Sequence, residues 1–195
     1  MHPMRIGSVS TTPTLETAAA PTAKVAAVQE IPPKRTLTAP ADVRAALARA
    51  HQEMTGEPAS APLLDVLTAH VSHETARGTH MFNYNFGGIK GHGPTGESAR
   101  LRTREVTSKG DEVMRLPFRA YRTLEAGAAD YLQLMQARYG EALDQARGGD
   151  AAGFAAALKR RGYYTASEES YTNAMRSLTS DPAAMGRIGQ ALPAT

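Results

Sequence analysis

The chain has 195 residues, no cysteine, no tryptophan and a formal net charge of +3. Its length suits one domain with a real core and a tail, and its hydrophobic and charged fractions, 42% and 21%, are ordinary for a globular protein. Disulfides and Cys-ligated zinc are excluded, and no apolar run reaches the roughly 18 residues of a membrane span.

Residues 1–40 are rich in Thr, Ala, Pro and Val and read as a disordered arm, because that composition cannot bury a core. The start lacks the continuous apolar stretch of a secretory signal. A target outside the cytoplasm would therefore require another export route. The arm could be that export signal, a tether to a partner, or a passive linker.

Residues 41–52 read as a helix with Val43, Ala46, Leu47 and Ala50 inward. A second helix follows over 62–77. Ser60 can cap it, Pro62 suits its first turn, and Gly78 suits its stop. Leu64, Leu67 and Val71 recur at helical spacing, and Glu74 continues the series. A carboxyl at the end of a buried stripe should have a raised pKa, the state a general acid needs near neutrality. The plain alternative is an exposed Glu on a fraying last turn.

Beyond it comes an Asn/aromatic/Gly loop, Asn83-Tyr84-Asn85-Phe86-Gly87-Gly88-Ile89-Lys90-Gly91. Residues 100–106 and 112–121 read as two strands joined by the turn Ser108-Lys109-Gly110-Asp111. Arg100, Arg102, Arg104, Lys109, Arg115, Arg119 and Arg122 cluster there. They could attract an anionic polymer or simply form a solvated face; no nucleic-acid-binding motif accompanies them. Thr123 can cap a helix carrying Leu124, Ala128, Tyr131, Leu132, Met135 and Tyr139, and Asp150 can cap another with Phe154, Ala157, Leu158 and Arg161. Thr165 and Glu168 suggest a capping box before a last helix with Tyr171, Met175 and Leu178. From Asp181 the tail reads as loose. The pattern is α+β, mainly helical, with one small hairpin.

Four histidines, His70, His73, His80 and His92, invite a zinc reading. His70 and Glu74 share a helical face, but the order H-V-S-H-E is not the H-E-x-x-H of a zinc protease. No metal and no cofactor is expected, and neither a phosphate loop nor a dinucleotide fingerprint is present.

Several motifs, in order, carry a resemblance: His73-Glu74-Thr75, the loop Asn83 to Gly91, Thr103-Arg104-Glu105, Pro117-Phe118-Arg119-Ala120-Tyr121, Ala137-Arg138-Tyr139, and Arg161-Gly162-Tyr163-Tyr164-Thr165. Together they resemble the bacterial peptidoglycan endo-β-N-acetylglucosaminidase family, which includes a flagellar rod-associated domain. In that family an acid ends a helix, an N-x-FGIK loop follows, and T-x-E, F-R-x-Y, R-Y and GYAT come next. The resemblance spans roughly residues 41–180. The chain departs from it at Arg77, where a Trp is common, at the doubled Gly87-Gly88, and after Thr165, where Asp-Pro is usual.

The resemblance implies a lysozyme-like domain with a β-hairpin across a cleft, cleaving the glycan strand of peptidoglycan at N-acetylglucosaminyl bonds. Glu74 is the general acid. Glu105 is the candidate second carboxylate, which across a wide cleft would favour inversion. The substrate's own acetamide is the alternative nucleophile, and a cross-strand arginine partner is the plain role for Glu105. Tyr163 is the candidate for stabilising charge or positioning the acetamide. Asn85, Phe86, Gly87, Gly88 and Lys90 are the candidate sugar subsite, with tight-turn duty the alternative for the glycines. Tyr121 could stack on a sugar or pack under the hairpin. Two other readings stay open: a muramidase or lytic transglycosylase on the same polymer, and a non-catalytic cell-wall-binding assembly module. A monomer is expected, exported to the periplasm or cell envelope without a signal peptide, with a secretion or flagellar-rod partner engaged through residues 1–40.

Overall fold

A computed structural model describes residues 28–107 and 110–188, apart from the side chains of residues 104–107 and 111. The first part of the arm, the hairpin turn at 108–109 and the end of the tail lie outside the described residues.

Helix α1 (Pro40–Thr55) leads into α2 (Ala61–Glu74), whose N-terminus Ser60 caps by accepting from the Leu63 amide at 3.4 Å. Every α2 residue from Leu63 to Ser72 is buried. A helix buried all round is the axle of a domain rather than a surface element, and α2 packs against α1, α4 (Gly140–Arg147) and α6 (Glu168–Thr179). Helix α3 (Leu124–Arg138), capped by Thr123, lies on α1, and α5 (Ala151–Arg160), capped by Asp150, bridges α4 and α6. Asp65, the buried carboxylate on the axle, is satisfied by Arg44 of α1 and by Arg187 near the C-terminus.

The sheet has three strands in the order β1 (Gln29–Glu30), β2 (Glu97–Thr107), β3 (Gly110–Arg119). β1 runs parallel to β2, and β2 and β3 form an antiparallel hairpin from Ser98↔Arg119 to Thr107↔Gly110. Three groups fix its base. Asp130 of α3 holds the Arg119 guanidinium with both oxygens and accepts from the Tyr121 hydroxyl. Glu97 pairs with Arg122 at 2.5 Å. The Arg119 amide donates to Ile89 O at 2.8 Å.

Several sequence expectations are corrected. Ordered chain begins well inside the anticipated arm: residues 31–38 form a strap along the 78–84 segment and the hairpin base. Ile31 N donates to Ser98 O, Asn83 N to Lys34 O, and Thr36 N to Met81 O, at 2.8, 2.8 and 2.9 Å. Hydrogen bonding, not hydrophobicity, orders this segment, so composition concealed it. The tail is likewise packed through Met185, with Ala184 accepting from the Ser72 hydroxyl at 2.7 Å. Helix α6 is capped by Ser167, not Thr165. Helix α4 went unread because it is short, and β3 begins already at Gly110.

Candidate active site

Helix α2 ends on Glu74 through one local clamp and two contacts distant in sequence. The Thr75 hydroxyl donates to Val71 O at 2.6 Å and accepts from the Gly78 amide at 3.0 Å, which folds the chain back on the last turn. Ala76, Arg77 and Gly78 then take left-handed φ values of 47°, 57° and 81°. Two non-glycine residues in that region store strain, and an ion pair at 2.6 Å from Arg77 to Asp181 holds the turn. At Gly78 a Cβ would stand 1.8 Å from Thr38 O of the strap. The chain therefore leaves the helix at once, and no further turn covers the Glu74 carboxyl, which keeps 21% of its side-chain surface exposed.

That carboxyl faces a cleft of about 700 Å³. Its Oε1 accepts from the Tyr171 hydroxyl of α6 at 2.6 Å and lies 3.5 Å from His70 Nε2, one turn back on α2. Burial pushes the carboxyl upward in pKa, but the His70 and Tyr171 donors outweigh it and hold Glu74 below its ordinary value. The expected raised pKa is thus reversed, because the end of the stripe meets donors rather than apolar side chains alone.

The opposite wall is the loop at 87–90. Asn85 builds it from beneath: its side-chain amide donates to Ile89 O and Arg119 O and accepts from Ile89 N, all at 2.9 Å. Gly87 lets the wall approach closely, since its carbonyl accepts from the Tyr163 hydroxyl at 3.2 Å and a Cβ there would lie 2.7 Å from that oxygen. Lys90, Arg119 and Arg138 give this side a cationic lining. Tyr164 stacks face to face on Tyr171, with centroids 3.8 Å apart at 5°, fixing the ring that reaches Glu74.

Glu74, Tyr163, Gly87, Gly88 and Lys90 therefore share one cleft. Asn85 supports the wall from inside and spends its side chain on backbone groups. Phe86 is 0% exposed and packs near Tyr131, in the core rather than on a sugar surface. Tyr121 is buried under the hairpin on Asp130, the packing alternative of its two readings. Glu105 pairs through its backbone with Glu112 in the distal half of the hairpin, and its side chain lies outside the described residues. Sequence reasoning missed Tyr171, which looks like any stripe residue of the last helix. It set His70 aside, although the four-residue spacing to Glu74 was a legible signal. Among the described residues no group of three or more His, Asp or Glu side chains is placed to hold a metal ion, and no helix is long and apolar enough to cross a membrane.

Comparison with known proteins bears on this cleft. The family model described as mannosyl-glycoprotein endo-beta-N-acetylglucosaminidase matches residues 48–182. A peptidoglycan hydrolase mutant from Sphingomonas sp. A1 is similar in structure with a TM-score of 0.55 and 29% identity, over 74% of this chain and 93% of that one. The catalytic domain of the autolysin Auto from Listeria monocytogenes has a TM-score of 0.54 at 20% identity, over 79% and 89% of the two chains, a likeness of fold. No curated protein sequence matches.

Proposed function

The chain belongs to the mannosyl-glycoprotein endo-beta-N-acetylglucosaminidase family and is a glycoside hydrolase; on that premise we propose that it cleaves the peptidoglycan glycan strand at N-acetylglucosaminyl bonds with Glu74 as general acid. One observation carries the assignment of the acid: a carboxyl at the tip of a helix buried from Leu63 to Ser72, open to a cleft of about 700 Å³ and gripped by a tyrosine hydroxyl at 2.6 Å. Likeness to a peptidoglycan hydrolase supports the polymer.

The chemistry follows from what surrounds Glu74. A sugar filling the cleft removes water from the carboxyl, strengthening the burial that favours its protonated form. Glu74 then gives its proton to the glycosidic oxygen as the C1–O bond breaks. The developing positive charge at C1 needs an electron donor. Glu105 is seven residues along β2 from Ser98, about 23 Å at strand rise, and would serve only with the hairpin folded over the cleft. The acetamide oxygen of an N-acetylglucosaminyl unit reaches its own C1 without any such movement. We favour that route, in which the acetamide attacks C1 and Glu74 later takes a proton from the water that reopens the ring. Tyr163, whose hydroxyl reaches Gly87 O across the cleft, is the group to hold the acetamide, while the Tyr171 hydroxyl stays engaged with Glu74. Gly87, Gly88 and Lys90 form the facing subsite wall.

Such a substrate puts the working site in the cell envelope. We assign the catalytic domain to residues 28–188 and an export or tethering role to the arm before it. Deleting residues 2–27 should leave digestion of purified peptidoglycan unchanged while abolishing the protein's appearance outside the cytoplasm. The bond itself is tested by mass spectrometry of borohydride-reduced fragments released from purified peptidoglycan. Reduced N-acetylglucosamine ends are expected, and none with Glu74→Gln. Muramic or anhydromuramic ends would move the enzyme to muramidase or transglycosylase chemistry, and no release by the unaltered chain would favour a binding module.

A further inference from the structure

His70 is 0% exposed, yet both ring nitrogens face hydroxyl groups. Nδ1 lies 2.6 Å from the Tyr131 hydroxyl and Nε2 lies 2.9 Å from the Tyr171 hydroxyl. Phe154 and Tyr163 pack against the ring, each with centroids 5.1 Å away, and exclude water from it. The Tyr171 oxygen also touches Glu74 Oε1 at 2.6 Å. An unbroken chain of hydrogen-bonding atoms thus runs from the imidazole, through one hydroxyl, to the carboxyl.

We propose that His70 is the proton partner of Glu74, the two groups sharing one proton through the Tyr171 hydroxyl. The inference rests on Glu74 as the acid. Two arrangements with the same number of protons satisfy every atom of the chain. In one, Nε2–H donates to the Tyr171 oxygen, the Tyr171 O–H donates to a charged Glu74, and Nδ1–H donates to the Tyr131 oxygen. In the other, Glu74 O–H donates to the Tyr171 oxygen, the Tyr171 O–H donates to a bare Nε2, and Nδ1–H is unchanged. They differ by two concerted hops, one proton leaving Nε2 for the Tyr171 oxygen and one leaving that oxygen for the carboxyl, so charge and atoms balance.

The environment decides which arrangement holds. In an open cleft water supports the carboxylate, and the charged pair is favoured. Filling the cleft with a sugar removes that solvation, and two separated charges become costlier than a neutral pair. The proton then lies on Glu74 just when a glycosidic oxygen is beside it. The hydroxyls can relay without ionising: burial and the Glu74 charge hold the Tyr131, Tyr163 and Tyr171 phenols far above their ordinary value. The remaining groups around the pair are His73 on α2, which burial holds low, Tyr139 and Tyr164 at the cleft edge, and the cations Lys90, Arg119 and Arg138 across it. From helix α5 the apolar Phe154 packs on the His70 ring.

The test is ¹⁵N NMR of the histidine-labelled full chain across pH, beside kcat/KM on purified peptidoglycan. In the unaltered protein, the His70 Nε2 signal should change over the same pH range as the alkaline limb of activity. In Glu74→Gln that range should fall by more than about one unit, because the opposing charge is gone. In His70→Gln the alkaline limb should fall by at least about one unit, since one of the two sites holding the proton is lost; a purely structural histidine would lower the rate and leave the limb in place. The unaltered and Glu74→Gln spectra decide the matter even if His70→Gln does not fold. A His70 signal that ignores pH, or that behaves identically in Glu74→Gln, overturns the proposal. Full activity of Glu74→Gln would overturn the acid instead, a separable outcome because the spectra do not depend on turnover.

Discussion

The helical body and the hairpin are held to different standards. Around Glu74 every support is direct: α2 is buried from Leu63 to Ser72, Thr75 clamps its end, and Tyr171 grips the carboxyl. The hairpin is fastened at its base by Asp130, Glu97 and Asn85, while Val113 and Met114 further out are 52% and 39% exposed. The body that carries Glu74 is therefore preorganised, whereas the hairpin is fastened at its base, where Arg119 lines the cleft, and is more exposed at Val113 and Met114. Proton donation needs a fixed geometry, and the packed end of α2 supplies it.

Variants can break this contrast. The largest effect belongs to Glu74→Gln, expected to cost about 10²–10⁴-fold in kcat/KM on peptidoglycan, with retained pull-down by the insoluble polymer. Stability should suffer most where the body is tightest. Gly78→Ala meets the Thr38 carbonyl at 1.8 Å in a left-handed turn, and should cost about 2–4 kcal/mol in denaturant unfolding. Asp65→Asn should cost about 2–3 kcal/mol by removing the partner of Arg44 and Arg187. Burial raises the Asp65 pKa, but those two arginines outweigh it and leave it lowered. Its contribution is thus complete above the unfolded value, about 3.9, and is lost as pH falls through the lower folded value. Unfolding midpoints below about pH 4 should fall more steeply for the unaltered chain than for Asp65→Asn. Smallest of all, Val113→Ser should shift stability by under about 0.5 kcal/mol. Glu105→Gln should lower the rate less than about tenfold if the acetamide is the nucleophile; a loss near 10³-fold would make the hairpin a second catalytic wall and erase the contrast.

How much of this was legible depended on the kind of signal. Helix α2, its Ser60 cap and its terminal acid follow from period and capping chemistry, and the hairpin follows from alternation. The turn after Glu74 was read as a stop at Gly78, but its left-handed start at Ala76 is set by Arg77–Asp181 and the strap, contacts distant in sequence. Asn85 and Phe86 were read as subsite floor from loop composition, yet one is spent on backbone groups and the other faces the core, a choice only the packed loop makes. Tyr163, singled out by a local motif, lines the cleft. Tyr171 was missed, because its link to Glu74 spans 97 positions.

The strap carries a lesson about where this protein can be cut. The family's sequence pattern is matched from residue 48 onward, but residues 34–38 already complete the hydrogen bonding of the 78–84 segment. A fragment trimmed to the family boundary would strip partners from Met81 O, Gly78 O and the Asn83 amide, and would remove the front half of α1. The stretch that carries the family's sequence pattern is therefore shorter than the unit that folds, and a protease that nicks the chain between residues 31 and 38 would loosen the 78–84 segment without touching a residue that lines the cleft.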